Sequence, residues 1–296
     1  MKKIIGLISI VFICLISLCS CVSLDPPDTD KSNNENMSIA STSVAICQIL
    51  DRLGYDNVIG VPETSNDLPD RYKNLKTIGV PMTPDYEIIK SLSPDIVLSP
   101  KSLENSLSKD YTAAGINSAF LDLSSVEGMY KAITSLGKLL HRESEAAALV
   151  AEYENYMSEY KVNTGEQPNI LLLMAFPDGF YLVSTENSYV GNLVKLAGGK
   201  NVYDQTYQGD ENGFVNINPE DIVQKNPDMI LVYAHYAEDD AFAFMENEFK
   251  TNTSWQYYDA VKKNNIHYLP SKYFGMSATL YWTEGLDYLK PVLYGE

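Results

Sequence analysis

Positive charge is scarce in this sequence: 22 lysines and arginines stand against 39 aspartates and glutamates, a formal net charge of −17 over 296 residues. Such a surface repels phosphate backbones, and no basic stripe interrupted by aromatics occurs, so nucleic acid is excluded as a partner. Cysteine is nearly absent as well. Of the four, Cys14 and Cys19 fall inside a leading apolar segment, which leaves Cys21 and Cys47 and predicts no structural disulfide. With only three histidines, His141, His235 and His267, a three-histidine metal site would need all of them to converge. No Ser/His/Asp arrangement and no glycine-rich phosphate loop is present, and the paired acids Asp239-Asp240, the one hint of an exported hydrolase, read as solvated carboxylates after a strand. These absences argue against an enzyme.

The longest apolar run, Ile4 to Leu18, follows Lys2-Lys3 and is too short to read as a spanning helix, so residues 1–20 read as a secretory signal. Leu18-Cys19-Ser20-Cys21 resembles the bacterial lipobox, in which the residue before the modified cysteine is small; Cys21 would then be the lipidated first residue of the mature chain. Asp25 to Met37 is rich in Asp, Asn, Ser and Pro with little to bury, so residues 21–37 read as a tether. The protein is thus expected at the extracellular face of a cell membrane, lipid-anchored. About 260 residues remain, enough for one large or two smaller cores.

Twelve residues occur twice. Glu87-Ile-Ile-Lys-Ser-Leu-Ser-Pro94-Asp95-Ile-Val-Leu98 is echoed by Glu220-Asp-Ile-Val-Gln-Lys-Asn-Pro227-Asp228-Met-Ile-Leu231. Each copy predicts a helix that stops at Pro-Asp and runs into a strand. A looser echo relates Leu50-Asp-Arg-Leu-Gly54 and Val58 to Leu193-Val-Lys-Leu-Ala-Gly198 and Val202. Repetition at this distance predicts two similar α/β lobes, each a mostly parallel sheet flanked by helices, and a cleft between them. The N-terminal lobe is expected over 38–140 and the C-terminal lobe over 166–296. Ala/Glu/Tyr-rich residues from Arg142 to about Val162, free of Gly and Pro, predict a long helix within a 141–165 linker. Such a connection is stiff and implies limited closure. Ser124-x-x-Glu127 reads as a capping box, and Thr83-Pro84-Asp85 and Asn218-Pro219-Glu220 as helix starts.

In a parallel sheet the loops after the carboxyl ends of strands line the ligand crevice. Two residues there bear chemistry: Met82, held between Pro81 and Pro84, and His235, directly after the expected strand Met229–Tyr233. One stands at the cleft edge of each lobe. An imidazole facing a thioether is a donor set for haem iron, although a lone histidine after a strand or a loop methionine also serves as ordinary packing. Cys47 reads as buried and structural, and His141 as the end of a helix.

The chain resembles the haem-binding lipoproteins of the Isd type, within the ABC-transporter binding proteins whose lobes are joined by a long helix. The residues that carry the likeness are Gly60-Val-Pro62, Leu68-Pro69-x-Arg71-Tyr72-Lys73, Gly79-x-Pro81-Met82-x-Pro84-Asp85 and Phe120-Leu-Asp-Leu-x-Ser125-Val-Glu-Gly-Met129. Further on, Asn187-Ser-Tyr-x-Gly-x-Leu-Val194, Ala197-Gly-Gly-x-Asn201-Val202, the His235 loop and Phe274-Gly275 extend it over nearly all of the mature chain. The resemblance implies a monomeric high-affinity receptor that takes haem b (iron protoporphyrin IX) from a cell-surface haem donor and passes it to an ABC permease for iron uptake. Met82 and His235 would be the axial ligands. The propionates would meet the helix start at Ser41, Thr42, Ser43 and Val44 and the loop hydroxyls of Thr64 and Ser65, groups that can equally well cap the local backbone. Glu87 and Glu220, equivalent in the repeat, would dock onto arginines of the two permease subunits. Two departures, Tyr236 in place of a small residue and Met276 beside Phe274-Gly275, bear on the iron's surroundings. A receptor for an iron–siderophore or a corrinoid is the alternative on the same scaffold.

Overall fold

A computed structural model of the chain describes residues 36–162, 165–207, 209–210, 212–215 and 224–295. Cys21, the tether as far as residue 35, Glu220 and the helix start at 218–220 lie outside the described residues. Among the described residues no helix is long and apolar enough to cross a membrane.

The first lobe holds strands β1 (Ile39–Ser41), β2 (Val58–Val61), β3 (Lys76–Thr77), β6 (Ile96–Pro100) and β7 (Ser118–Leu121), in the spatial order β3-β2-β1-β6-β7 and all parallel. Helices α1 (Val44–Arg52), α2 (Tyr86–Leu92) and α3 (Glu104–Ala114) are its crossovers. The second lobe is built on β8 (Asn169–Phe176), β12 (Met229–Ala234) and β13 (Ile266–Leu269), parallel neighbours, with the short β10 (Lys200–Asn201) parallel on the other side of β8. An antiparallel hairpin, β8 with β9 (Phe180–Ser184), and β11 (Phe214–Val215) complete the sheet. The central strand β8 reads Asn-Ile-Leu-Leu-Leu-Met-Ala-Phe and is buried for all but its two end residues, as a strand covered on both faces must be.

The repeated Pro-Asp has the same structural task in both lobes. Asp95 accepts hydrogen bonds from the backbone N–H (2.7 Å) and hydroxyl (2.8 Å) of Ser38, just before β1. Asp228 accepts from the backbone N–H and the side-chain amide of Asn169 at the start of β8, both at 2.9 Å. The next strand is tied to the same turn by Asn117, whose amide donates to the Asp95 carbonyl, and by Asn265, whose amide donates to that of Asp228. Each aspartate therefore sets the register at the base of three neighbouring strands. The looser echo holds likewise: α1 and α6 (Tyr189–Leu196) are each followed by a positive-φ glycine, Gly54 (65°) and Gly198 (90°), where the helix stops and turns.

Helices α4 (Val126–Leu139) and α5 (Glu143–Glu159) connect the lobes, broken at His141, whose φ of 53° is left-handed. The expected long helix is thus 17 residues, about 25 Å at 1.5 Å per residue. Local starts differ from the sequence reading by a residue or two. Ser125, not Ser124, caps α4 by accepting from the Gly128 N–H at 3.0 Å, because the Ser124 hydroxyl donates to Asp122 instead. Asp85, not Thr83, caps α2, accepting from the N–H groups of Glu87 and Ile88 at 3.0 Å, because Thr83–Pro84 is occupied as a strand.

Several contacts among the described residues tie the lobes. Asn192 on α6 accepts from the Val126 N–H at 3.0 Å and donates to Glu127, so the second lobe helps to cap the first helix of the connection. Trp282, at the start of α9 (Trp282–Tyr294), is buried and lies edge-on to Tyr130, Tyr153 and Tyr156 of α4 and α5; its indole N–H donates to the Tyr130 hydroxyl. Between them, α7 (Glu238–Thr251) and the short α8 (Asp259–Lys262) cover the second sheet.

Candidate functional site

A cleft of about 800 Å³ opens between the carboxyl ends of the two sheets, where a parallel sheet places its ligand. Its size falls within the range of pockets that enclose small organic ligands. From the first lobe it is lined by the start of α1, the loops after β2 and β6, and the Met82 turn. The second lobe supplies the ends of β8 and β12 and the segment after β13.

Met82 and His235 line this same cleft, one from each lobe. The backbone reason for Met82 is a tight hairpin of β4 (Gly79–Val80) and β5 (Thr83–Pro84): Gly79 pairs with Pro84 and Val80 with Thr83, leaving Pro81-Met82 as the two-residue turn. Gly79 (φ 89°) must be glycine, since a Cβ there would stand 2.9 Å from the Asp85 nitrogen. The side chain of Met82 is presented rather than packed, with 61 % of its surface exposed. His235 is set by the ladder, its N–H donating to the Ala175 carbonyl at 3.0 Å and so extending the pairing of β12 with β8. Phe176 lies 5.0 Å from the imidazole, centre to centre.

Burial holds the His235 pKa below the ordinary histidine value, because the imidazolium would lose its hydration there. Its Nδ1 is buried without a hydrogen-bond partner. A neutral imidazole is the ligand form of histidine. The cleft therefore combines a nitrogen donor with thioethers, Met82 and, on the segment after Phe274-Gly275, Met276. Such donors suit a soft or borderline metal and not a hard cation, which takes oxygen ligands. Among the described residues no group of three or more His, Cys, Asp and Glu is placed to hold a metal on its own.

The remaining site residues divide. Ser43, Val44 and Thr64 line the cleft, as does Ala45. Val44 and Ala45 begin α1, where first-turn N–H groups have no preceding carbonyl in the helix and favour an anion. Ser41 and Thr42 do not reach the cleft. Both are fully buried, Ser41 donating to the Ser43 carbonyl at 3.0 Å and Thr42 to the Ser99 hydroxyl at 2.9 Å, because they form the end of β1 and its floor. Ser65 is exposed and outside the lining, while the Thr64 hydroxyl accepts from the Asn66 N–H. Glu87 is exposed on α2, 3.5 Å from Lys90.

The two departures noted in the sequence part ways. Tyr236 is 48 % exposed and its hydroxyl donates to Asp178, which together with some burial holds the phenol protonated; it lies outside the cleft lining. Met276 is in it. Phe176, Phe214, Phe274 and Tyr273 provide the aromatic part of the wall. Most other tyrosines are spent in the core and at the lobe junction, as with Tyr55, Tyr111, Tyr189 and Tyr233. A rule that takes every residue just past a parallel strand would have found Phe176; the Phe214 position depends on the β9–β11 pairing and has no local signal. Among the described residues lining the cleft none is Lys or Arg.

Two sheets whose strand ends face each other across an open ligand cleft are the architecture of a two-lobed substrate-binding protein. The chain belongs to the periplasmic binding protein family, which it matches over residues 39–273. It is 32 % identical over 295 residues to the high-affinity heme uptake system protein IsdE of Staphylococcus aureus, a match that covers 99 % of this chain and 98 % of that one. The crystal structure of S. aureus IsdE complexed with heme superposes with a TM-score of 0.76 at 32 % identity, covering 87 % of this chain and 99 % of the other. An ABC transporter substrate-binding protein from Listeria monocytogenes EGD-e reaches 0.80 at 38 % identity, covering 88 % and 100 %. The protein is therefore an extracytoplasmic substrate-binding protein of this family, with two α/β lobes, and not an enzyme.

Proposed function

We propose that this protein is a haem receptor: it binds haem b as cargo in the cleft, with Met82 and His235 as axial ligands, and delivers it to an ABC permease for iron uptake. The observation that carries this reading is the convergence of an exposed thioether and a neutral, half-buried imidazole on one cleft from opposite lobes. Haem is a flat apolar disc with an iron that takes ligands from both faces and two carboxylates at one edge. Phe176, Leu182, Phe214 and Phe274 offer the disc an apolar wall, and the first turn of α1 at Ser43 to Ala45, with Thr64, offers hydrogen-bond donors to a propionate. A thioether is a weaker donor than a second imidazole and raises the iron's reduction potential, which suits capture followed by release.

Of the alternatives, an anionic iron–siderophore loses ground on the same cleft. An anionic chelate calls for counter-charge, and the described lining supplies no cation while including the acids Glu63 and Asp210. By this reading a lipidated Cys21 holds the receptor at the outer face of the cell membrane, a surface donor loads it as a monomer, and Glu87 with Glu220 engages the permease.

The test is a haemin titration followed by absorption. The wild type is expected to show a low-spin, six-coordinate Soret band, and His235→Ala or Met82→Ala to weaken or convert it. Spectra unchanged in both variants would reject the ligand assignment.

A further inference from the structure

We infer that Met276 is a second sulfur donor for the same iron, an alternative to Met82 on the face opposite His235. The inference rests on the haem reading above and extends it to a residue that reading does not use. Three methionines line the cleft: Met82, Met174 and Met276. Met174 is 1 % exposed and sits within β8, paired to Tyr233 on the strand that leads to His235. It belongs to the imidazole's own lobe and is locked in the core, so it is not a candidate for the opposite face.

Met276 is placed differently. Although it follows β13 in the chain, its segment crosses to the first lobe: the Ala278 N–H donates to the Leu123 carbonyl at 2.7 Å. Met276 also borders a side cavity of about 220 Å³ walled by Pro100, Lys101, Leu123 and Ser124 of the first lobe. The Met276 segment is thus pinned to the first lobe, the lobe that presents Met82, while His235 comes from the second. Met276 is half-buried, in contrast to Met82 at an exposed hairpin turn. An unbranched thioether with three rotatable bonds adapts its reach. Tyr236, the other unusual neighbour, is excluded as a donor because its hydroxyl is committed to Asp178. One face of the iron would then be served by two methionines in turn, one presented at the rim and one standing deeper, which provides a stepwise path for loading and release.

The experiment uses the full mature chain loaded with ferric haemin and reads the sulfur-to-iron charge-transfer band of histidine–methionine haem. Leucine replaces methionine to keep apolar bulk while removing the donor. Met82→Leu is expected to weaken the band without abolishing it, leaving a residual sulfur-ligated low-spin fraction, and Met82→Leu/Met276→Leu to lose both. Loss of the band in Met82→Leu alone, with a spectrum identical to the double variant, overturns the inference. His235→Ala separates this failure from that of the underlying reading: a wild-type spectrum there would remove the haem assignment itself, and Met276 with it. Circular dichroism and thermal melting of each variant confirm that a lost band is not a lost fold.

Discussion

At the residue scale, His235 is a histidine kept neutral by its surroundings. Its folded pKa lies below the ordinary value of about 6.5. Below that pH the unfolded chain takes up a proton that the native imidazole refuses, so this residue lowers native stability as pH falls from about 6.5 toward the folded value. The same shift keeps the imidazole free to coordinate in mildly acidic solution. Haemin binding is therefore expected to persist somewhat below pH 6.5 and to fail on further acidification, an acid limb that His235→Ala lacks; titrations across pH read this directly, and a binding curve flat down to the unfolding pH would contradict it. His267 is a useful contrast. Burial lowers its pKa too, but it sits within β13 with Nε2 hydrogen-bonded to Asn265 at 2.9 Å, a partnered strand residue away from the cleft lining.

At the scale of elements, the Pro-Asp repeat explains why two short, buried sheets hold register. Asp228 accepts two hydrogen bonds at the start of β8, and Asp228→Ala leaves the Asn169 N–H without its acceptor. The expected cost is about 1–3 kcal/mol, measured by urea denaturation. Asp95 in the first lobe is held as a carboxylate by the Ser38 N–H and hydroxyl, so its pKa is lowered. Its contribution is present above the ordinary aspartate range and is lost as pH falls through the folded value. Trp282 is the corresponding anchor between elements. It is 1 % exposed among three tyrosines, and Trp282→Ala is expected to cost about 3–5 kcal/mol. Because that cavity opens at the junction of α9 with α4 and α5, the loss should also loosen the lobes, which hydrogen exchange over those helices would report.

At the scale of the molecule, binding a cargo across two lobes couples occupancy to stability. Haemin at a free concentration about 100-fold above its Kd adds about 2.7 kcal/mol, a rise in Tm of roughly 5–10 °C for a domain of this size. No thermal shift on adding haemin would count against a cleft ligand. Docking is a separate property from capture. Glu87→Ala with Glu220→Ala is expected to leave the haemin spectrum intact and to reduce haem uptake by cells; unchanged uptake would refute docking through these carboxylates. The acid-rich surface, with net charge −17, is consistent with a receptor whose contacts avoid anionic polymers.

Most of the fold was legible locally. Short continuous apolar runs after each Pro-Asp marked β6 and β12, and the internal echo announced two related lobes. Periodicity, proline and glycine act on neighbouring residues, so a single chain carries them openly. The same local rules misplaced two helix caps by a residue or two, because Asp122 and the Met82 hairpin compete for the groups involved. What the sequence by itself determined was the α/β alternation, the duplication, and that Met82 and His235 stand at strand ends. Only tertiary structure decided that these two share one cleft, that Met276 joins them while Tyr236 turns away, and that Ser41 and Thr42 are sealed into the floor. The physical reason is that a cleft is made by the mutual orientation of two sheets. That orientation depends on distant contacts such as Asn192 with Val126 and Trp282 with Tyr130, which no local pattern encodes.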